Sequence, residues 1–284
     1  MSPSPSEPRM ILDADTANEI DDLYAIARML HQDQIDLLGI NAAQWFHYKS
    51  GMDSVHQSQR INEELLRITR REEIPALLGA EEALGMPWGG TTAKDSPAAQ
   101  FIIEQARATP AGEKLIVACI GAATNLASAI KMAPDIAPRI DAYLMALIYN
   151  TETGVWNKAD FNTRMDLNAA DFILNQADLE VHYMTVDTSI RFKFDRADTF
   201  ARQARMGELG AYLTERWRTH APDAERWVMW DLALIEAILH PEFATQRAVT
   251  TPPENVQRKV WVYDTIDLAR MHADYWQAVM PEDV

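Results

Sequence analysis

Apolar positions along this chain follow two alternating rhythms. Short apolar and β-branched runs at 9–12, 35–40, 115–120, 142–148 and 180–186 read as strands. Between them lie segments of helical period. Leu23, Ile26, Ala27 and Leu30 share one face of 22–30, and 61–68, 98–106, 125–132 and 169–177 repeat that spacing. Such alternation implies βαβ units, hence an α/β fold with a mainly parallel sheet flanked by helices. No internal repeat or low-complexity linker divides the chain, and Ser and Pro are concentrated only in the first eight residues. Residues 1–8 are therefore expected to form a loose tail before a single domain at 9–284. Residues 195–239 are more purely helical and carry Trp217, Trp227 and Trp230, which predicts a helical elaboration capping the sheet.

Charge narrows the function classes. Forty-two Asp and Glu against 26 Lys and Arg give a net charge of −16, a field that repels nucleic acid and anionic membranes and favours cations and small ligands. No apolar run approaches the roughly 18 to 20 residues needed to cross a bilayer, and the start lacks a basic region followed by an apolar one, so a cytoplasmic location is expected. The one cysteine, Cys119, has no partner for an internal disulfide and sits in an apolar strand pattern, as a buried inert thiol would.

The densest chemistry is at 9–22, RMILDADTANEIDD, where Asp13, Asp15, Glu19, Asp21 and Asp22 crowd the passage from a strand to a helix. Ligands bind at the carboxyl ends of strands in open parallel sheets, and carboxylates crowded there must be neutralised by a cation or screened by solvent, of which the cation is the better fit. A plainer reading makes Asp21 and Asp22 ordinary acids of a helix N-terminus, which leaves Asp13 and Asp15 unexplained. An EF-hand loop from Asp13 is excluded, because Asn18 and Tyr24 stand where Gly and Glu are required. A phosphatase of the haloacid-dehalogenase type shares the Asp-x-Asp after the first strand but finds Ala17 where it usually has Thr or Val.

The Asp-x-Asp followed by a helix-opening Asp-Asp resembles the signature of the inosine-uridine-preferring nucleoside hydrolases. Three further segments resemble that family in its own order: LIVACIGAATNLASAI at 115–130, DFNTRMD at 160–166, and the Trp230-Asp231 pair opening a helix. The end, 260–279, is similar to the family's last strand and helix. Singly, each motif has a bland alternative: Thr124 as a helix cap, Asn162 as a loop bond, Asp231 as a helix-end charge. Together they point to the family.

The resemblance implies a Rossmann-like nucleoside hydrolase fold and calcium-dependent hydrolysis of a ribonucleoside to ribose and a free base. It implies calcium ligands in Asp15, Asp22, Asp231 and the Thr124 carbonyl, with Asp15 also taking the proton of the attacking water. It implies ribose contacts from Asp21, Asp160 and Asn162, and assembly as a homodimer or homotetramer.

Four departures mark an atypical branch. Residues 16–19 replace a short Pro-Gly link and leave Glu19 without a role. Asp160 is one methylene shorter than the usual Glu, and the Gly-Gly ending the fourth strand is absent around 147–150. Trp230 stands where many members have a His that aids the leaving base. Stacking by Trp230, with Trp227 or Trp45 as a second face, is then expected to help the base depart and to favour purines. His47 falls near the first substrate loop. The rival readings are the phosphatase and a metal- and ribose-binding protein without turnover.

Overall fold

The computed structural model describes residues 7–46, 51–86 and 89–280. Residues 1–6 of the expected tail, and His47, lie outside the described residues. The first half of the chain runs β1 (Arg9–Ala14), α1 (Asp21–Leu30), β2 (Asp36–Ala42), α2 (Ser54–Thr69), β3 (Ala76–Leu77), α3 (Pro97–Ala108), β4 (Leu115–Cys119), α4 (Thr124–Met132) and β5 (Ile140–Met145). Then follow β6 (Ile148–Asn150), β7 (Val155–Asn157), α5 (Phe161–Met165), α6 (Leu167–Leu174), β8 (Glu180–Met184) and α7 (Val186–Ser189). The last part is β9 (Lys193–Asp195), α8 (Arg196–Gln203), α9 (Gly207–His220), β10 (Arg226–Val228), α10 (Trp230–Leu239), β11 (Ala244–Thr250), β12 (Lys259–Ile266) and α11 (Leu268–Val279).

Eight strands form one sheet in the order β11-β12-β8-β5-β4-β1-β2-β3. All pairings are parallel except the edge pair β11–β12. The α/β reading from the sequence therefore holds, and the physical reason is visible in β1, whose residues from Met10 to Ala14 are buried on both faces, as helix-covered parallel strands are. One face packs on α1, α9, α10 and α11 through residues such as Leu23, Trp217, Leu234 and Tyr275; the other packs on α3, α4 and α6 through Ile102, Leu126 and Ile173. No helix among the described residues is long and apolar enough to cross a membrane.

Three boundaries differ from the pattern, each because of a tertiary contact. The expected strand at 142–148 stops at Met145, since Leu147 takes φ 67°. A side chain in that left-handed region costs about 1–3 kcal/mol. Here it is held by Leu147 N–H donating to Asp160 Oδ2 at 2.9 Å and by Val186 N–H donating to its carbonyl at 3.1 Å. The strand at 180–186 likewise ends at Met184, because Val186 is taken into α7. Residues 195–239 are not purely helical: β9 and β10 pair antiparallel, Phe194 opposite Trp227. Trp217 of α9 is fully buried and meets Tyr24 of α1 edge-on at 6.4 Å, so this elaboration shares the main core.

Candidate active site

β1 delivers Asp13 and Asp15 to the carboxyl edge of the sheet, both buried. The two carboxylates do different things. Asp13 Oδ1 accepts from Asn125 Nδ2 at 3.0 Å, and the same Asn125 amide bonds the Ala42 carbonyl and takes the Ala80 N–H, so Asn125 ties β1, β2 and the loop after β3 to α4. Burial pushes Asp13 up to about 7, with Asn125 pulling the other way. Asp15 begins a turn, Asn18 N–H donating to its carbonyl at 2.8 Å.

The loop at 16–19 is pinned to α2. The Thr16 hydroxyl donates to Asn62 Oδ1, and Ala17 N–H donates to Ser58 Oγ at 3.4 Å. Asp21 and Asp22 then open α1, where acids suit the positive end of the helix dipole. Asp231 opens α10 in the same manner, and its N–H donates to Asp21 Oδ2 at 3.2 Å, tying the two helix starts together across 210 residues of sequence.

At the end of β4, Gly121 lies against Asp15. A Cβ there would come within 2.9 Å of Asp15 Cβ and Oδ1, so glycine is what lets the carboxylate sit so close to the sheet edge. Thr124 is the first residue of α4 and does not cap it. Its hydroxyl donates to Asp166 Oδ2 at 2.7 Å and accepts from Gln44 Nε2 at 3.2 Å.

Asp160 and Asn162 come from the start of α5. Asp160 caps α5, taking Thr163 N–H on Oδ1 at 3.0 Å and Leu147 N–H on Oδ2. Asn162 Nδ2 donates to the Ile120 and Met145 carbonyls, both at 2.9 Å, and so bridges the ends of β4 and β5. Both of its N–H groups are thus committed, which leaves Oδ1 to meet a ligand hydroxyl.

These elements enclose a cavity of about 250 Å³. Six carboxylates line it, from Asp15, Glu19, Asp21, Asp22, Asp160 and Asp231, beside Asn18, Asn162 and an apolar wall of Ile120, Met145, Ile148, Phe161, Val186 and Trp230. Seven of the eight site residues expected from the sequence line this one cavity, and Thr124 does not. Neither Trp227 nor Trp45 is in the lining; the second aromatic there is Phe161, which sequence reasoning passed over although it sits beside Asn162. Asn18 and Gly121 were also missed. Gly121 carried a signal in its place directly after a strand, whereas Asn18 carried none beyond the loop it belongs to.

Electrostatics separates this cavity from an ordinary acidic surface. Burial first, then mutual repulsion, holds Asp15, Asp22 and Asp231 well above the usual carboxylate range. Burial brings Asp21 to about 6, and burial plus the Asp21 charge brings Glu19 to about 8. Asp15 Oδ2 and Asp22 Oδ1 are buried with no hydrogen-bond partner, which is costly for a carboxylate unless a cation meets it. Asp21, Asp22 and Asp231 each place an oxygen so that all three lie within 4.8 Å of one another. An all-oxygen donor set of this kind fits a hard divalent cation.

The sequence profile described as inosine-uridine preferring nucleoside hydrolase matches residues 10–278. A comparison with curated protein sequences finds no match. Among solved structures, a plant nucleoside hydrolase, the PpNRh1 enzyme, superimposes with a TM-score of 0.75 at 16% identity, covering 97% of this chain and 99% of its own. A purine-preferring ribonucleoside hydrolase from Gardnerella vaginalis gives 0.74 at 19% identity, covering 96% of this chain and 98% of its own. An inosine-uridine preferring nucleoside hydrolase from Bacillus anthracis gives 0.72 at 15% identity, covering 96% and 99%. At these identities the superpositions speak for the fold, and the profile match across almost the whole length, with the acidic cavity in its place, assigns the chain to the inosine-uridine preferring nucleoside hydrolase family, whose members are ribonucleoside N-glycosidases.

Proposed function

We propose that this protein uses calcium to hydrolyse the N-glycosidic bond of ribonucleosides to ribose and a free base, with purine nucleosides favoured. The observation that carries the reading is the convergence of Asp15, Asp21, Asp22 and Asp231, two of them with unpartnered buried oxygens, at the carboxyl end of a parallel sheet in a cavity that Trp230 also lines. Asp15, Asp22, Asp231 and the Thr124 carbonyl are the calcium ligands in this proposal. When bound, a divalent cation neutralises the carboxylates and lowers the pKa of water at the site.

The chain's own groups then divide the work. Asp15 accepts the proton of the attacking water. Asp21, Asp160 and Asn162 hold the ribose hydroxyls, which fixes the anomeric carbon in reach of that water. Asn162 acts through Oδ1, its amide hydrogens being taken by Ile120 and Met145. Trp230 stacks on the base, and Phe161 is the aromatic nearest in role to a second face.

A phosphatase would need a basic group to hold phosphate, and among the described residues no Lys, Arg or His lines the cavity. A cytoplasmic location and assembly as a homodimer or homotetramer belong to the same proposal. The test is ribose release from a panel of ribo- and deoxyribonucleosides with calcium and with chelator. Ribose release that requires calcium and prefers ribosides supports the reading. Loss of inorganic phosphate from phosphate esters, without ribose release, would sink it.

A further inference from the structure

Among the described residues other than glycine, Arg70 and Leu147 take a positive φ. Arg70 is exposed and ends α2, where a left-handed residue is an ordinary way to stop a helix. Leu147 is different. It is buried, it follows a strand, and it stands between Met145 and Ile148, which both line the acidic cavity. No glycine relieves the turn, since 144–150 reads LMALIYN.

The surroundings hold this conformation from several directions. Ala146 N–H donates to the Met184 carbonyl at 3.2 Å, and the Leu147 carbonyl accepts from Val186 N–H at 3.1 Å. Leu147 N–H faces Asp160 Oδ2 at 2.9 Å and Thr163 Oγ1 at 3.3 Å. A separate cavity beside Leu147, shared with Asn162 and Thr163, measures about 10 Å³ and has room for no more than one water, so packing leaves the turn little space to relax. Both α5 residues assigned to the ribose hydroxyls are anchored here. Asp160 spends Oδ2 on the Leu147 N–H, and Asn162 spends an amide hydrogen on the Met145 carbonyl. A change of φ at Leu147 reorients that N–H, and Asp160 with it.

We propose that Leu147 is a positioning residue for the hydrolysis: its left-handed turn sets Asp160 and Asn162 where they grip the ribose hydroxyls, and so governs how strictly a complete ribose is required. The inference rests on the nucleoside hydrolase reading of the same cavity, and Leu147 itself does not line that cavity. Hydroxyl contacts speed the reaction only if the groups that make them are fixed before the substrate arrives. A turn held in a strained conformation by buried contacts supplies that fixity, and the strain is the kind of local cost that functional sites carry.

The test uses two substitutions of similar bulk on the full chain with calcium. Leu147→Met is unbranched and tolerates the turn as Leu does, whereas Leu147→Val is β-branched and resists a positive φ. Each is assayed on inosine and on its 2′-, 3′- and 5′-deoxy analogues. Leu147→Met should stay within about threefold of the parent. Leu147→Val should lower kcat/KM for inosine about 10- to 100-fold, the scale of a small misplacement of positioning groups. It should also narrow the preference for inosine over at least one deoxy analogue by about fivefold or more, as a displaced hydrogen bond does. A merely structural role would lower all four rates together and leave the preference unmoved. Val186→Pro gives a second route should Leu147→Val not fold. Val186 is the first residue of α7, where proline is tolerated, so the change removes the N–H that holds the Leu147 carbonyl and should narrow the same preference. A preference that narrows by less than fivefold in both Leu147→Val and Val186→Pro, or narrows equally in Leu147→Met, overturns the inference and leaves the hydrolase reading intact. A parent that releases sugar from none of the four nucleosides overturns the hydrolase reading, and the inference with it.

Discussion

Helix α10 has a cluster of acidic groups at each end, and the two are chemically unlike. At its start Asp231 joins Asp15, Asp21 and Asp22 in the cavity, where no cationic side chain stands among the described lining residues. Toward its other end Glu236, His240 and Asp274 also bring three ligand atoms within 4.8 Å of one another. There the buried Arg28 fills the gap, with Nε 3.1 Å from both Glu236 Oε1 and Asp274 Oδ2 and Nη2 2.5 Å from Asp274 Oδ2. Burial raises Glu236 to about 8 while Arg28 opposes it, so guanidinium and proton neutralise this cluster from within. The lesson is that carboxylate count alone does not make a cation site. What matters is whether the chain supplies its own counter-charge, and α1, α10 and α11 are clamped by one that does.

The largest break in the comparison comes from the active-site end. Asp15→Asn keeps the shape but removes the proton acceptor and one proposed ligand, and kcat should fall by about 100- to 10,000-fold, the usual range for a lost general base. Ribose release under saturating calcium measures it, and activity within threefold of the parent would remove Asp15 from the mechanism.

At the other end, Arg28→Met should destabilise the fold by about 3 kcal/mol, because it leaves Glu236 and Asp274 without their cation. Urea denaturation of the calcium-loaded protein reads the loss. KM should change little, and a variant that instead gained calcium binding at this cluster would contradict the division drawn between the two ends.

Calcium supplies a third effect of comparable size, about 3–4 kcal/mol at 100 to 1,000 times its Kd, seen as a rise in Tm. Its pH dependence has a defined sign. The cavity carboxyls have folded pKa values above their ordinary 3.8 to 4.5, so the folded chain holds protons that the unfolded chain has released. Without calcium, the stability contributed by the cavity carboxyls should therefore be fully present near pH 4 and be lost as pH rises toward about 8. With calcium that decline should flatten, since metal replaces the protons. Thermal melts from pH 4 to pH 8 with calcium and with chelator test this, and parallel curves would count against a cation in the cavity.

The smallest effect concerns the wall. Trp230→Ala should lose about 1–3 kcal/mol of transition-state stabilisation, the scale of one aromatic–base stack, while Trp230→Phe should retain most activity. Equal kcat/KM for the parent and the Ala variant would make Trp230 only a boundary of the cavity.

Much of this was open to reading before any coordinates. The parallel strands β1, β2, β4, β5 and β8 announced themselves because both faces are buried and their residues are almost continuously apolar. β11 did not, because an edge strand with one face in water, ATQRAVT, has little apolar signal. The hairpin of β9 and β10 was hidden for a similar reason: three residues per strand are too few to show a period of two beside the helices around them.

Local order was thus written in local pattern: where strands and helices begin, that Asp21 and Asp22 open a helix, that Trp230 and Asp231 open another. The crowding of acids after β1 was equally plain, since it needs only adjacency along the chain. Tertiary structure alone decided the rest. It brought Asp231 to Asp21 across 210 residues and Arg28 to Glu236 across 208, which made one acidic cluster open to a cation and the other closed by a guanidinium. It bent Leu147 into a left-handed turn where Asp160 could hold it. It also turned the loop at 16–19 inward against α2, so that Glu19 became part of the cavity wall. Periodicity records which residues are to be buried, but the partner of a buried charge depends on where packing sets down distant elements.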